Sequence, residues 1–314
     1  MDLVFLGTPS FAVPTLEKIA QAGHRVLAVY TQPDRPKGRG RELAPSPVKQ
    51  TSLRLGFPVH QPERVRRPEV VEQLKKYNPD AMVVVGYGQI IPQSIIDIPR
   101  LGIINVHASL LPKYRGAAPI QWAIANGEAR TGVTTMRIDA GLDTGDMLLK
   151  WVTEIGPAEN AIELSERLAP AGANLLVETL AGLEAGTVRP EPQDNSQASL
   201  APILKKEDGL IDWSAPARVI FNRSRGFLPW PGAQTCFRRH SFNIWKTRLA
   251  ESGTSWKACG AMRANNRRLF VDCGDRTVLE LLEVQIEGRK RVSAEAFLNG
   301  QRLEENEALG AQRR

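Results

Sequence analysis

The chain has 314 residues, which exceeds the usual size of a single hydrophobic core, so we expect two domains. Its 42% hydrophobic and 24% charged residues are typical of a globular protein, and no apolar run approaches the roughly 20 residues of a transmembrane helix. The formal net charge of +7 lies entirely in the last third, since residues 1–203 hold 21 Lys and Arg against 21 Asp and Glu, whereas residues 204–314 hold 20 against 13.

The start of the chain and its cysteines favour a cytoplasmic location. Residues 1–7 contain no Lys or Arg and lead directly into a predicted strand, so we expect no secretory signal peptide. The three cysteines are odd in number and lack C-x-x-C spacing, which argues against a disulfide framework and against a cysteine-based zinc site. The histidines show no metal-ligand spacing either. We therefore expect a cytoplasmic protein that binds neither a membrane nor a metal.

The first part of the chain alternates predicted strands with predicted helices. Runs rich in Val and Ile predict strands at 3–7, 26–31, 81–87, 103–107 and 132–138. Apolar residues at helical spacing predict helices around 11–19, 68–74 and 120–126, and a long helix at 161–186. Continuous apolar strands separated by helices are typical of a parallel sheet that is covered on both faces. The predicted fold class is therefore α/β, with a Rossmann-like, mostly parallel sheet.

The first strand-to-helix turn argues against a dinucleotide cofactor. It contains the sequence Gly7-Thr8-Pro9-Ser10, at the place where a dinucleotide-binding fold would carry G-x-G-x-x-G. The sequence therefore favours a Rossmann-like topology without NAD binding.

The second part of the chain has a different pattern. Residues 187–200 contain two prolines and several small polar residues, which predict an extended linker. Short alternating segments at 235–237, 242–246, 268–271 and 278–284 then predict a small antiparallel β domain, which we expect to be an OB-like β-barrel. We divide the chain into a catalytic domain at 1–188, a linker at 189–203 and a basic domain at 204–314.

The excess positive charge of this basic domain indicates a polyanionic partner. Its cations are clustered at Arg223/Arg225, Arg238/Arg239, Arg263/Arg267/Arg268 and Arg289/Lys290/Arg291. On one face of a β-barrel they could contact a sugar–phosphate backbone, and such contacts position a nucleic acid without reading its sequence. A solvated basic surface that only keeps the chain soluble is an open alternative.

The residues best suited to chemistry follow a predicted central strand. Asn105 and His107 are two apart in that strand, so their side chains project side by side at its carboxyl end, where open α/β sheets bind ligands. The Gly-bracketed loop 141–146 carries Asp143 and Asp146. An amide that donates to a developing oxyanion, an imidazole that moves a proton and a carboxylate that orients it could together promote attack of an amine on a carbonyl carbon.

Spacing alone leaves a structural role for these residues open. A His beside an Asn at a strand end is more often a hydrogen-bonded structural pair than a catalytic one. Spacing also does not decide between Asp143 and Asp146 as the catalytic carboxylate.

Longer motifs around these residues resemble a known family. Asn105-x-His107-x-Ser109-Leu110-Leu111-Pro112, followed by Leu142-Asp143-x-Gly145, resembles the signature of the folate-dependent formyltransferases. Further segments are similar to the branch of that family that formylates aminoacyl-tRNA: Gly7-Thr8-Pro9-x-Phe11-Ala12, Gln32-Pro33-Asp34-Arg35-Pro36, Arg115-Gly116-Ala117-Ala118-Pro119-Ile120-Gln121-Trp122, Ile211-Asp212-Trp213 and Pro229-Trp230-Pro231-Gly232.

The resemblance implies a reaction and a set of site residues. A formyl group would move from 10-formyltetrahydrofolate to the α-amino group of methionine on initiator methionyl-tRNA, without a covalent enzyme intermediate. The family pattern implies that Asn105, His107 and Asp143 are catalytic, and it favours Asp143 over Asp146. It also places four residues against the folate: Ser109, Leu110, Leu111 and Pro112.

A basic loop after the second predicted strand is the other feature that points to RNA. Residues 34–45 form a longer connection than such folds usually need, and Lys37, Arg39 and Arg41 alternate there with Gly38 and Gly40. Taken alone the pattern is typical of a mobile solvated loop. The resemblance implies that this loop engages the tRNA acceptor end.

The sequence is also consistent with three other functions. They are formyl transfer to a small amine such as a sugar nucleotide or glycinamide ribonucleotide, hydrolysis of 10-formyltetrahydrofolate, and RNA binding by a catalytically inactive protein. A small substrate does not explain the basic domain of about 110 residues. We expect the protein to act as a monomer.

Overall fold

The structure is a computed structural model, and it describes residues 1–37, 42–251 and 256–310. The chain forms two compact units. The first unit comprises Met1–Pro119, Arg130–Glu154 and Ser165–Pro202, and the second comprises Ile120–Ala129, Ile155–Leu164 and Ile203–Arg314. No helix within the described ranges is both long and apolar enough to cross a bilayer.

A mixed sheet forms the centre of the first unit. Its strands are β1 (Asp2–Gly7), β2 (Arg25–Tyr30), β5 (Val59–His60), β6 (Ala81–Val85), β7 (Ile103–His107), β8 (Arg130–Arg137) and β9 (Met147–Glu154). They lie in the order β5-β2-β1-β6-β7-β8-β9, and the first five are parallel while β8 and β9 are antiparallel to their neighbours. A separate antiparallel pair, β3 (Arg35–Lys37) and β4 (Glu42–Ala44), follows β2.

Helices cover the sheet of the first unit. They are α1 (Val13–Gln21), α2 (Pro47–Arg54), α3 (Pro68–Tyr77), α4 (Gln93–Ile96) and most of α6 (Ala161–Glu184). The remaining helix in this part of the chain, α5 (Pro119–Ala125), belongs almost wholly to the second unit. Pro begins α2 and α3, where its missing N–H removes no hydrogen bond. Gly172 lets α6 approach the sheet closely, because a Cβ at this position would lie 2.8 Å from Val106 Cγ1 on β7.

The second unit contains an antiparallel sheet with its own core. Its strands are β10 (Ala233–Phe237), β11 (His240–Leu249), β12 (Met262–Asn265), β13 (Arg268–Asp272), β14 (Val278–Ile286) and β15 (Val292–Ser293). In addition to α5 it contains the helices α7 (Ala217–Gly226) and α8 (Ala294–Gly300). The strands pair in the order β10-β11-β14-β13-β12, and β15 pairs with β14. The core gathers the inward side chains of the sheet with those of both helices, including Phe221, Phe242 and Phe297.

The predicted fold class is confirmed. The mostly parallel sheet and the separate antiparallel β unit are both present, and the five predicted strands of the first unit agree with observed strands to within two residues at either end. Strand β9 and helices α7 and α8 were not expected from the sequence. The predicted linker at 187–200 contains one 3₁₀ turn, Asn195–Gln197.

Candidate active site

Strand β7 presents two polar side chains at the carboxyl edge of the sheet. Asn105 is half-buried and its backbone pairs with Val84 of β6, while His107 is 5% exposed and pairs with Thr134 of β8. Two residues apart on one strand, both side chains project to the same face, as the sequence predicts.

Asp143 lies against both of these side chains. Asn105 Nδ2 donates to Asp143 Oδ1 over 3.4 Å, and His107 Nδ1 lies 3.6 Å from Asp143 Oδ2. The backbone N–H of Gly116 also donates to Asp143 Oδ2, over 2.8 Å. The structure therefore brings the amide, the imidazole and the carboxylate together at one place, although Asp143 comes 36 residues after His107 in the chain.

The two ring nitrogens of His107 have different surroundings. Nε2 lies 2.8 Å from the carbonyl oxygen of Tyr114, and because a carbonyl can only accept, Nε2 carries a hydrogen and donates it. In the neutral ring the other nitrogen, Nδ1, then bears a lone pair that faces the Asp143 carboxylate. At 3.6 Å the ring nitrogen and the carboxylate oxygen face each other just beyond hydrogen-bond distance. Nδ1 is therefore the ring nitrogen that remains for contacts within the site.

The loop that carries Asp143 has a fixed conformation. Asp143 has a φ of 51°, in the left-handed region that side chains seldom adopt. Two loop glycines are required by close approach: a Cβ at Gly141 would collide with Thr144 Oγ1, and one at Gly145 would collide with the carbonyl oxygen of Arg137. This backbone directs the Asp143 carboxylate toward β7.

Gln193, near the end of the last chain segment of the first unit, fixes the same loop. Its Nε2 donates to the carbonyl oxygens of Asp143, over 2.8 Å, and of Gly145, over 2.7 Å. Arg115, which is 7% exposed, donates from Nε to Gln193 Oε1 over 2.9 Å and from Nη2 to Asn195 Oδ1 over 2.8 Å. Gln193 is not predicted from the sequence, since a lone Gln in a polar linker carries no local signal of this contact.

Asp146, the other carboxylate of this loop, has a structural position. Its carbonyl oxygen accepts from the backbone N–H of Arg137 over 2.9 Å, which continues the pairing of the sheet. Within the described part of the chain its carboxylate makes no ion pair or side-chain hydrogen bond. The geometry therefore favours Asp143 as the carboxylate that faces His107.

The segment from Ser109 to Pro112 follows β7 directly. Ser109 is buried and its Oγ donates to the carbonyl oxygen of Lys113 over 2.7 Å, while Leu111 is buried beside Met136 and Met147. The Leu110 and Pro112 side chains are half-buried. Two of the four side chains expected at the folate thus pack inside the protein, and the contact of this segment with folate stays a prediction.

The basic loop predicted to bind RNA is described only in part. Lys37 is the last residue of β3, at the start of the loop, and Arg39 and Arg41 lie outside the described residues. Their role stays a prediction.

A glycine-rich loop follows β6, the neighbour of β7 in the sheet. Gly86 and Gly88 are exposed and have φ values of 57° and 82°, and the carbonyl oxygen of Tyr87 between them accepts from Thr8 Oγ1 over 3.1 Å and from Gln32 Nε2 over 3.0 Å. Thr8 and Gln32 belong to the two motifs that follow β1 and β2. Their function in the fold is therefore to hold the loop after β6.

Exposed apolar side chains lie on the loops that follow β6 and β8. Ile90, after β6, is 89% exposed, and Leu142, next to Asp143, is 63% exposed. Exposed apolar side chains and exposed peptide hydrogen-bonding groups, such as those of Gly86 and Gly88, are both used by small-molecule sites. In the described part of the chain, no group of three or more His, Cys, Asp or Glu is placed to hold a metal ion.

The arginine clusters of the second unit are mostly neutralised within it. Carboxylates of the same unit pair with five of these arginines: Arg238 with Glu307, Arg263 with Asp272, Arg267 with Glu295, Arg268 with Glu280 and Arg291 with Glu283. Arg239, Arg289 and Lys290 have no ion pair among the described residues. Partners this distant in sequence cannot be recognised from local charge patterns.

Comparison with known proteins gives matches along nearly the whole chain. The formyl transferase family profile matches residues 1–180, and the profile of the formyl transferase C-terminal domain matches residues 203–302. A methionyl-tRNA formyltransferase from Solibacter usitatus is 66% identical over 310 residues, with 99% of both chains covered. Another, from Koribacter versatilis, is 57% identical over 311 residues, again with 99% of both chains covered.

A solved structure shares the fold. The crystal structure of a sugar 3N-formyl transferase, determined in the presence of dTDP and 5-N-formyl-THF, matches with a TM-score of 0.69 and 18% identity, and the match covers 92% of this chain and 99% of that one. At this identity the likeness shows the fold alone. The family profiles and the full-length relatives establish that this chain belongs to the formyl transferase family.

Proposed function

We propose that this chain transfers the formyl group of 10-formyltetrahydrofolate to the α-amino group of methionine on initiator methionyl-tRNA. The observation that carries the proposal is the convergence of Asn105, His107 and Asp143 at the carboxyl edge of β7. The full-length relatives at 66% and 57% identity, both methionyl-tRNA formyltransferases, support the choice of acceptor.

The three side chains have separate tasks in this reaction. The Asn105 amide donates to the formyl oxygen as negative charge develops on it, and His107 joins it through Nδ1 once that nitrogen carries the transferred proton. The attacking amine loses one proton and the departing folate nitrogen gains one. Asp143 and His107 hold that proton between them, which the geometry around Nδ1 permits. The methionine amine forms the new C–N bond directly, so no side chain becomes covalently attached.

The residues around this trio fit a folate. When bound, 10-formyltetrahydrofolate supplies an activated formyl carbon. The exposed backbone of Gly86 and Gly88 offers hydrogen-bonding groups for a polar ring edge, and Ile90 and Leu142 offer apolar contact for a flat ring. We assign the same role to the half-buried side chains of Leu110 and Pro112, with Ser109 and Leu111 supporting the segment from inside.

The remaining parts of the proposal concern the whole chain. We propose that residues 1–188 act as the catalytic domain, 189–203 as the linker and 204–314 as a tRNA-binding domain, and that Lys37, Arg39 and Arg41 engage the acceptor end. Since its substrates are folate and aminoacyl-tRNA, we propose that the protein acts in the cytoplasm, as a monomer.

The experiment that tests the proposed function follows the formyl group. The purified chain is incubated with 10-formyltetrahydrofolate labelled in its formyl group, and with methionyl-initiator tRNA, glycinamide ribonucleotide or buffer alone. We expect labelled formylmethionyl-tRNA as the main product. Label on glycinamide ribonucleotide, or free formate in buffer at a comparable rate, would instead indicate a small-amine transferase or a hydrolase. RNA binding without any transfer would indicate an inactive RNA-binding protein.

A further inference from the structure

A basic segment lies in the otherwise acidic first part of the chain. Residues 34–67 contain nine Lys and Arg against three Asp and Glu, a net charge of +6. The rest of residues 1–203 contains 12 against 18, a net charge of −6. The apparent neutrality of this part of the chain is therefore a sum over two regions of opposite charge.

Part of this charge lies in the loop between β5 and α3. Arg64 and Arg66 are exposed there, on either side of the buried Val65. Because β5 is parallel to β2, β1, β6 and β7, a loop that follows β5 lies at the same carboxyl edge of the sheet as the loops that follow those strands. The two arginines therefore lie at the edge that holds the catalytic trio.

The loop is fixed to its neighbours rather than solvated on all sides. Gln61 Nε2 donates to the carbonyl oxygen of Gln32 over 2.9 Å and to Asp34 Oδ1 over 2.7 Å. Gln89 Oε1 accepts from the backbone N–H of Val65 over 2.7 Å, and Gln89 Nε2 donates to the carbonyl oxygen of Pro62 over 3.2 Å. The loops after β2 and β6 thus hold residues 61–67, which we call the arginine loop, in position before any ligand binds.

The nearby acidic residues do not neutralise these arginines. Asp34 is 2.6 Å from Lys49 Nζ, and hydrogen bonds from Lys49 and Gln61 hold the pKa of its carboxyl below the ordinary value of 3.8. Glu63 pairs with Arg67 over 3.0 Å. In the described part of the chain, Arg35, Arg64 and Arg66 have no ion pair. Three exposed guanidinium groups at this edge remain available to an anion.

We propose that Arg64 and Arg66, with Arg35 in the segment that follows β2, bind the phosphate backbone of the RNA substrate next to the aminoacylated end. This inference rests on the proposed function, since it names a contact surface for the same acceptor. Planar guanidinium groups suit phosphate oxygens, and a pre-positioned loop loses little conformational entropy on binding. These contacts position the RNA without reading its sequence.

The test compares two double variants with equal charge change. Arg64→Gln/Arg66→Gln removes the two cations of the loop, and Lys75→Gln/Lys76→Gln removes two from the end of α3, which precedes β6 and so lies at the opposite edge of the sheet. The measurements are KM and kcat for methionyl-tRNA, KM for the formyl donor, and direct tRNA binding on filters from 50 to 200 mM salt.

The expected result is specific to the arginine loop. The Gln variant of the arginine loop raises KM for methionyl-tRNA about tenfold and leaves kcat and the donor KM within about twofold, because it weakens RNA binding without touching the reacting groups. Each lost phosphate contact also reduces the slope of log affinity against log salt by roughly 0.7 to 0.9. The α3 variant binds tRNA like the unmodified chain, and the charge-conserving Arg64→Lys/Arg66→Lys variant keeps the salt slope of the unmodified chain. Equal KM and equal salt slope for the Gln variant and the unmodified chain would overturn the proposal, as would an equal loss in the α3 variant.

The binding measurement separates this proposal from the proposed function. If the unmodified chain formylates no tRNA but binds it through the arginine loop, the proposed function fails and the surface stands. If formylation is rapid and the Gln variant binds tRNA normally, the surface fails and the proposed function stands.

Discussion

Asp143 and His107 depend on each other for their geometry. His107 Nε2 is bound to the Tyr114 carbonyl oxygen, so only Nδ1 faces the site, and the nearest carboxylate to it belongs to Asp143. Gly116 N–H and Asn105 Nδ2 each donate to one oxygen of that carboxylate. Each of the three side chains that we propose to be catalytic thus has a fixed orientation before the substrates bind.

Removing either member of the pair is expected to stop the chemistry without removing the RNA. We predict that His107→Ala and Asp143→Ala each lower kcat for methionyl-tRNA by about 10²- to 10⁴-fold, as loss of a general acid–base group does, while tRNA affinity changes little. Asp146→Ala is the matched control and is expected to keep most of the activity. Single-turnover rates with saturating substrates check this. A His107→Ala enzyme of near-normal rate would contradict the assignment.

Gln193 is expected to act as a positioning residue. We predict that Gln193→Met, which keeps the size but loses both donors to the 143–145 backbone, lowers kcat by about 10- to 100-fold, because a small displacement of a catalytic group has effects of this order. The KM for methionyl-tRNA is expected to change less than kcat.

Gln197 provides the control for this variant. It lies on the same segment and its Nε2 donates only to Asp194 Oδ2, over 2.8 Å, so Gln197→Met should leave both parameters unchanged. If Gln193→Met altered only the thermal stability of the chain, or altered KM and kcat as little as Gln197→Met does, the positioning role would be refuted.

The sequence predicts the part of this site that lies on β7, because side chains along a strand alternate between its two faces with a period of two residues. Asn105 and His107 are two residues apart, so their common direction follows from local geometry alone. Asp143 was singled out only through a family motif, since nothing local indicates that a loop 36 residues later returns to β7. Gln193 and Arg115 could not be found, because their contacts depend on where a polar linker lies in three dimensions.

At the scale of elements, connection length explains why β9 pairs antiparallel with β8. Strands β8 and β9 are joined by nine residues, which is too short for the crossover that a parallel pair needs, so they pair antiparallel. The sequence contains this information. The short helices α7 and α8 are harder to predict, since helices of seven to ten residues depend on tertiary packing rather than on their own propensity.

Strand β14 carries a buried carboxylate that should stabilise the second unit. Glu280 is 2% exposed and accepts from Arg268 and Arg248. Burial alone would raise the pKa of Glu280, but the hydrogen bonds from Arg268 and Arg248 outweigh it and hold this pKa below the ordinary value of 4.5. A depressed folded-state pKa means that the charged form favours the folded state.

We predict that Glu280→Gln lowers the stability of the chain at pH 7 by about 2 kcal/mol, because it removes the charged acceptor of the hydrogen bonds from two arginines. The contribution of Glu280 is fully present above pH 4.5 and is lost as the pH falls through its lowered folded-state value, so the difference between the two proteins should shrink in acid. Urea unfolding midpoints at several pH values measure it.

Glu283 is the control on the same strand. It pairs with Arg291 at the surface, where ion pairs contribute about 0 to 1 kcal/mol, so Glu283→Gln should have little effect. A difference between Glu280→Gln and the unmodified chain that stayed constant from pH 7 down to pH 3 would show that the Glu280 charge does not stabilise the fold.

For the whole molecule, the division of charge carries the most information about the partner. The sequence shows that the excess of +7 lies after residue 203, but the structure shows that many of those arginines are paired inside the second unit. Net charge therefore predicts the class of partner and not the residues that contact it. Cations that are exposed, held in place and unpaired within the described residues are better candidates, as at Arg64 and Arg66.

The most direct test of formyl transfer to an RNA-bound methionine compares two acceptors with the same reacting amine. We would measure kcat/KM for methionyl-initiator tRNA and for methionine methyl ester at 50 and 200 mM salt. Binding energy from the remote RNA should raise kcat/KM for the tRNA by at least about 10³-fold, and this advantage should fall as salt increases. Equal efficiency for both acceptors at either salt concentration would contradict the account.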